Sequence, residues 1–251
     1  MAGYAALAEA YEWLIPEAML SPAGSAAAFS DVVSVLPPAA RVLDCSCGTG
    51  QLAVGLAELG FRVVATDASA AMVRRTEQLA AELNVPVEVL QSRWDELAER
   101  LAGATFDLVL CVGNSLGHAE GASGRSTALT AMARLLSPGG RLVLTSRNWE
   151  LVRAAGTHID VRDQLVRRGD RDAVVIYHWE IQPSWELEHH LEIAVAQLGL
   201  DGSVATCSER LSFWPYRFGE LVEELQNAGL RLATSTFDPK ADGYMVVAHI
   251  E

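Results

Sequence analysis

Between Arg41 and Thr145, short apolar runs alternate with stretches in which apolar residues recur at helical spacing. Continuous apolar runs mark strands buried on both faces, and their alternation with helices marks βαβ units on a parallel sheet. The pattern predicts strands at 41–45, 62–66, 87–90, 106–112 and 141–145, with helices at 51–59, 70–83 and 126–136 between them. Ser137-Pro138-Gly139-Gly140 reads as a turn closing the last helix, because proline presets the first corner and glycine accepts the positive φ that follows.

After Asn148 the period changes. Polar and apolar positions alternate over 160–213, broken at Arg168-Gly169-Asp170, Gln182-Pro183-Ser184 and Leu200-Asp201-Gly202-Ser203, which predicts antiparallel hairpins. Helical spacing returns at 218–228, stopped by Gly229, and two strands follow at 230–237 and 243–250. The first 40 residues read as helical up to Pro37-Pro38, and no internal repeat is visible. The predicted architecture is an α/β domain with an antiparallel β insertion between its fifth and sixth strands.

Composition narrows the function. With 251 residues, half of them hydrophobic, the chain is long enough for one large domain with a real core, not a disordered, collagenous or disulfide-stapled one. Nineteen Lys and Arg against 32 Asp and Glu leave a net charge of -13, which repels phosphate backbones and anionic membrane surfaces. No Lys or Arg precedes Arg41, so the positive start of a secretory signal is missing and a cytoplasmic location is expected. No apolar run approaches the ~20 residues of a membrane span. Cys45, Cys47, Cys111 and Cys207 have neither disulfide-framework nor zinc spacing and read as packed, reduced thiols.

The densest chemical signal is Val42-Leu43-Asp44-Cys45-Ser46-Cys47-Gly48-Thr49-Gly50, a strand running into a glycine turn and a helix. A β-carbon at Gly48 or Gly50 would occupy space that a ligand needs. Gly48-x-Gly50-x-x-Ala53 satisfies the dinucleotide fingerprint, and Asp67, ending the second strand, is placed to grip a ribose diol. Two nucleoside cofactors therefore compete. A pyrophosphate over the turn would face the like charge of Asp44, whereas an adenosine joined to a sulfonium and an ammonium group would be attracted to it. S-adenosylmethionine is such a molecule.

Val42 to Gly50, followed by Val63-Val64-Ala65-Thr66-Asp67-Ala68-Ser69, resembles the first two motifs of class I S-adenosylmethionine-dependent methyltransferases. The 106–112 strand and Pro138-Gly139-Gly140-Arg141-Leu142 resemble the later ones, so the likeness covers roughly 40–150 and the last two strands. Ser46 stands where the family most often has its first glycine, and a small side chain still allows close approach. The resemblance implies a Rossmann-like, seven-stranded, mostly parallel sheet with helices on both faces. Its parts would be a helical segment at 1–40, a cofactor-binding core at 41–150, an antiparallel substrate or lid insertion at 151–217, and a closing helix with the last two core strands at 218–251. Asp44, Ser46 and Gly48 would border the methionine part of the cofactor, with Gly50 completing the turn. Asp67 would bind the ribose, and Ala68 and Met72 would cover the adenine. Arg93 and Trp94 lie where the family holds the adenine edge, although Trp94 reads equally as core. Cys111 ends the fourth strand at the ligand-binding edge of the sheet.

Val112-Gly113-Asn114-Ser115-Leu116-Gly117-His118, Thr145-Ser146-Arg147-Asn148-Trp149 and Arg210-Leu211-Ser212-Phe213-Trp214-Pro215 resemble a narrower group, the glycine and sarcosine N-methyltransferases. That likeness implies a carboxylate clamp at Arg147 and an acceptor contact at Asn114. A guanidinium does bind a carboxylate through two parallel hydrogen bonds, though a surface pair with Glu150 is the alternative. Phe213 and Trp214 replace tyrosines expected there and enlarge the apolar wall; Trp214 and Tyr216 are taken with Arg147 and Asn114 as the bounds of the acceptor pocket. Tyr4, Tyr11 and Trp13 precede the first strand, where such enzymes place an aromatic residue over the methyl donor; Tyr11 is the candidate for that place, or else belongs to the core. His118 is a candidate general base or a structural histidine. Glu188, His190 and Glu192 share one face of a predicted strand, but such a face is usually solvated and no metal is expected. The expected activity is methyl transfer to nitrogen of an amine or amino acid. Transfer to oxygen or carbon, an NAD-dependent dehydrogenase and a non-catalytic cofactor-binding scaffold stay open, as does assembly into a homo-oligomer.

Overall fold

The computed structural model describes residues 4–161 and 165–250. Residues 1–3, 162–164 and 251, which fall in the predicted first segment, insertion and closing segment, lie outside the described residues. Five strands build the parallel part of one sheet: β1 Arg41–Asp44, β2 Arg62–Asp67, β3 Glu88–Gln91, β4 Phe106–Cys111 and β5 Leu136–Arg147. Short helices α1 Pro22–Ala27 and α2 Ser30–Val33 precede them, and α3 Gln51–Glu58, α4 Ala70–Glu82, α5 Leu97–Arg100 and α6 Gly121–Arg134 connect them. Helix α7 Trp149–Ala155 leads into β6 His158–Val161, β7 Val166–Arg168, β8 Arg171–Glu180, β9 His189–Leu198 and β10 Val204–Phe213. Helix α8 Phe218–Asn227 returns the chain to the first sheet, which β11 Leu230–Ser235 and β12 Gly243–Ile250 complete.

The first sheet has seven strands in the order β11-β12-β5-β4-β1-β2-β3, and only β12 runs antiparallel to its neighbours. The direction of the chain order reverses between β1 and β4, so the edge beyond their carboxyl ends is the crevice that such sheets offer to ligands. Alternation along β4 sends Leu108 and Leu110 to one core and Val109 and Cys111 to the other, which is why Leu108 to Cys111 reads as uninterrupted apolar sequence. The second sheet, β10-β9-β8-β6 with β7 on β8, is antiparallel throughout, with hairpin breaks where proline, glycine and aspartate punctuate the sequence.

Two local expectations are corrected. Ser137-Pro138-Gly139-Gly140 belongs to β5 as a bulge: Phe106 pairs with Leu136 and Leu108 with Arg141, so the strand swallows the tetrapeptide. Proline has no N–H for the ladder and Gly139 takes φ +80°, both of which a bulge accommodates. The segment before β1 is helical only in short pieces, 3-10 turns at Ala8–Trp13 and Glu17–Met19 followed by α1 and α2, and Trp13 is fully buried. No helix among the described residues is long and apolar enough to cross a membrane.

Candidate functional site

A cleft of about 850 Å³ opens at the carboxyl edge of β1, β2 and β4, roofed by the segment before β1 and walled by the inner face of the second sheet. It lies near the upper end of the ~300–1,000 Å³ that holds a drug-sized ligand, which leaves room for two small molecules side by side.

One half is built by the glycine turn. Asp44, Ser46, Gly48, Asp67 and Met72 all line it. Ser46 Oγ receives the main-chain N–H of Val112 at 3.1 Å, tying the end of β1 to the end of β4. Asp67 accepts two main-chain N–H groups, from Gly48 at 3.0 Å and from Ser69 at 2.9 Å. Gly48 has φ +56°, and a β-carbon built there finds nothing nearer than the Tyr11 ring at 4.0 Å; its open side is the cleft. Gly50 differs. At φ +90° its added β-carbon would press on Thr76 of α4 at 2.8 Å, so its smallness serves helix packing behind the turn, and it does not line the cleft.

Asp44 is buried and Asp67 is half-buried. Burial raises the Asp44 carboxyl to about 7, against the opposing Ser46 N–H and reinforced by the charge of Asp67. Burial also raises Asp67, opposed by the N–H groups of Ser69, Gly48 and Ala68. Two partly desolvated carboxylates on one cleft wall form a place where a ligand's positive charge offsets their desolvation and a diphosphate increases it.

Four other candidates for this half stand outside the cleft. Cys111 is fully buried among apolar side chains because alternation turns it into the core. Trp94 donates its indole N–H to the Cys45 carbonyl at 2.8 Å and braces the turn from behind. Arg93 pairs with Asp95 at 3.1 Å in an exposed contact. Ala68 offers its carbonyl to Gln91 Nε2 at 3.1 Å, and its side chain does not reach the wall.

The other half carries Tyr11, Asn114 and Arg147. Asn114, in the left-handed region at φ +66°, accepts the Arg147 main-chain N–H at 2.9 Å and so locks the ends of β4 and β5 together. The Arg147 guanidinium lies 5.3 Å from the Trp179 ring centre and has no ion pair among the described residues. Glu150, its expected alternative partner, instead accepts the Phe218 N–H at 3.0 Å. The Tyr11 hydroxyl is pushed up to about 12, first by burial and next by Asp67.

Three acceptor-side candidates are corrected. Tyr216 is buried, shares a hydrogen bond with Ser146 Oγ at 2.9 Å and stacks under Arg125, behind the cleft wall. Trp214 donates its main-chain N–H to the Gly117 carbonyl and is absent from the wall. His118 is also withdrawn: Nδ1 contacts the Ser212 carbonyl at 2.7 Å, Nε2 contacts the Tyr4 hydroxyl at 2.9 Å, and burial pushes the ring down to about 4. Sequence reasoning placed Phe213 on the apolar wall, where it lies, but missed Tyr177, Trp179, Leu191, Ile193 and Leu211 as cleft residues. Their signal was present in the period of two, since 177 and 179, 191 and 193, and 211 and 213 share the inner face. Tyr4 also lines the cleft, and its signal was only its place among the aromatic residues ahead of β1. Of the polar strand face, His190 lies 4.0 Å from Glu188, while Glu192 pairs with His178 and Arg210.

Residues 42–140 match the family described as a methyltransferase domain. A glycine N-methyltransferase of Rattus norvegicus is 29% identical over 205 residues, covering 73% of this chain and 68% of the relative. A crystal structure of an S-adenosylmethionine-dependent methyltransferase from Clostridium acetobutylicum superposes with TM-score 0.78 at 14% identity, covering 98% of each chain. The S-adenosylmethionine-bound amino pentose methyltransferase CalS10 of Micromonospora echinaspora superposes with TM-score 0.74 at 22% identity, covering 96% of this chain and 95% of its own. These likenesses displace the dehydrogenase and scaffold alternatives: residues 42–140 carry a methyltransferase domain, and the motifs, the sheet order and the relatives together support a class I S-adenosylmethionine-dependent methyltransferase.

Proposed function

We propose that the protein methylates the nitrogen of an amine that also carries an anionic group, such as an amino acid, with a body bulkier than glycine. The observation that carries this is Arg147: a guanidinium on the cleft wall with no ion pair among the described residues, beside the apolar surface of Trp179, Leu191, Ile193 and Phe213. A planar cation in that position suits a carboxylate held through two parallel hydrogen bonds. The glycine N-methyltransferase likeness supports nitrogen as the site of transfer.

On the cofactor side, Asp67 would take the ribose hydroxyls and Asp44 the positively charged methionine end. Ser46 and Gly48 would border that end, Met72 would pack on the adenine, and Tyr11 would lie beside the donor group. When bound, S-adenosylmethionine supplies the methyl electrophile: the C–S bond breaks with its electron pair left on sulfur as the acceptor lone pair forms the N–C bond, and the surplus N–H proton leaves to solvent. The protein's part is alignment of a neutral nitrogen with its lone pair free. His118 does not reach the cleft, and burial disfavours its protonated form, so a hydroxyl acceptor would find no histidine base there. That favours nitrogen over oxygen.

Following S-adenosylhomocysteine formation with a panel of amino acids, arylalkylamines, phenols and sugars tests this. An amino acid bearing a hydrophobic side chain is expected to turn over fastest. Turnover of hydroxyl acceptors alone would overturn the assignment.

A further inference from the structure

Resting on the amine assignment, we propose that Tyr4 is a further acceptor-orienting residue: its hydroxyl oxygen receives the N–H of the incoming amine, and His118 is the positioning residue that fixes the direction of that hydrogen bond.

The direction follows from the partners. A carbonyl oxygen only accepts, so the 2.7 Å contact with Ser212 requires the proton on His118 Nδ1. Burial keeps the ring neutral near pH 7, so Nε2 is bare, and at 2.9 Å it accepts the Tyr4 O–H. The tyrosine has thereby committed its only proton away from the cleft that it lines. Lone pairs are what it has left to offer. A nitrogen about to attack a methyl group must keep its own lone pair free; a hydroxyl that donated to it would occupy that pair, whereas one that accepts its N–H leaves it available.

Several contacts hold this arrangement. The His118 ring lies 4.2 Å from Phe213, and Tyr4 meets His118 and Tyr11 edge-on at 5.5 and 5.7 Å. The main-chain N–H groups of Ala5, Ala6 and Leu7 all end on the Glu209 carboxylate, at 3.1, 3.0 and 3.0 Å, anchoring the segment to β10, the strand that carries Ser212. Tyr4 itself sits at φ +71°, a conformation that is unfavourable for a non-glycine residue and persists only where surroundings impose it.

The test is a double-mutant cycle with Tyr4→Phe and His118→Phe, using the amine that the wild-type protein methylates fastest in the panel above. Tyr4→Phe is expected to lower kcat about tenfold, the effect of one hydrogen bond, with affinity for S-adenosylhomocysteine by calorimetry unchanged. His118→Phe is expected to cost a similar factor alone and nothing further in the Tyr4→Phe background, because it acts through the tyrosine. Additive losses, or a Tyr4→Phe protein with unchanged kcat, overturn the proposal while leaving the amine assignment standing. Turnover of hydroxyl acceptors alone removes the amine assignment and the N–H contact together. Nitrogen-15 spectra of His118 in the wild-type protein report the hydrogen-bond direction even if a variant fails to fold. A proton on Nδ1 supports it, and a proton on Nε2 overturns it.

Discussion

Gly48 donates its main-chain N–H to Asp67 Oδ2 at 3.0 Å, so the carboxylate that ends β2 holds the glycine turn that follows β1. Asp67 thus has two tasks, shaping the turn and facing the cleft. Asp67→Asn, which keeps one acceptor oxygen and loses the charge, is expected to weaken S-adenosylmethionine binding ~10- to 100-fold, in line with the ~1.5–3 kcal/mol of a hydrogen bond to a charged group. Calorimetric titration checks this, with circular dichroism confirming the fold.

The raised Asp44 carboxyl gives binding a defined pH dependence. Its native value of about 7 lies above its ordinary 3.8, so the folded protein holds this proton more tightly than the unfolded chain does, and the stability it contributes falls as pH climbs from 3.8 through 7. A cationic ligand prefers the ionised form. Affinity for S-adenosylmethionine is therefore expected to improve up to about pH 7 and then level off, weakening by as much as ~10-fold per unit below that. Asp44→Asn should flatten the profile, which titration across pH 5.5 to ~8.5 in buffers of different ionisation heat will measure.

Arg147 has no ion pair among the described residues, and Glu150 accepts the Phe218 N–H instead. Arg147→Ala is expected to raise KM for a carboxylate-bearing amine ~10- to 100-fold and leave cofactor affinity unchanged. Arg147→Lys should recover only part of the loss, since an ammonium lacks the two-pronged geometry. Initial rates against acceptor concentration separate these outcomes.

Tyr216 belongs to the packing between β5 and α6 rather than to the cleft. Tyr216→Phe should cost ~1 kcal/mol of stability for the lost hydrogen bond with Ser146 and leave KM for both substrates unchanged. A thermal melt beside a kinetic assay checks it; a rise in acceptor KM at constant stability would return the residue to the substrate wall.

Glu209 gathers three consecutive N–H groups of the segment over the cleft. Glu209→Ala is expected to accelerate amide exchange at residues 5–7 by ~10-fold or more, measured by hydrogen–deuterium exchange, and to raise KM for the acceptor by loosening the roof. Amide exchange that stays slow would show that other contacts hold this segment.

The sheet, its helices and the hairpin insertion were legible in the sequence because strand burial and helical amphipathicity are periodic, and periodicity is a local property of the chain. Asp44, Gly48 and Asp67 were legible for a related reason: each sits at a fixed offset from the end of a strand, and strand ends in a parallel sheet converge on one edge. Residues whose direction depends on a distant partner were not. Cys111 and Gly50 stand beside the cleft in sequence, yet strand alternation and the approach of Thr76 turn them away from it. Tyr216 and Trp214 follow a strand that lines the cleft, but a hydrogen bond to Ser146 and one to Gly117 pull them behind its wall. Conversely Tyr4, far along the chain from His118, comes to the cleft only because an imidazole and a carboxylate from elsewhere in the fold hold it there. One strand period determines which side of a sheet a residue faces; only the closure of two sheets and an N-terminal segment around a common space decides which of those faces meets a ligand.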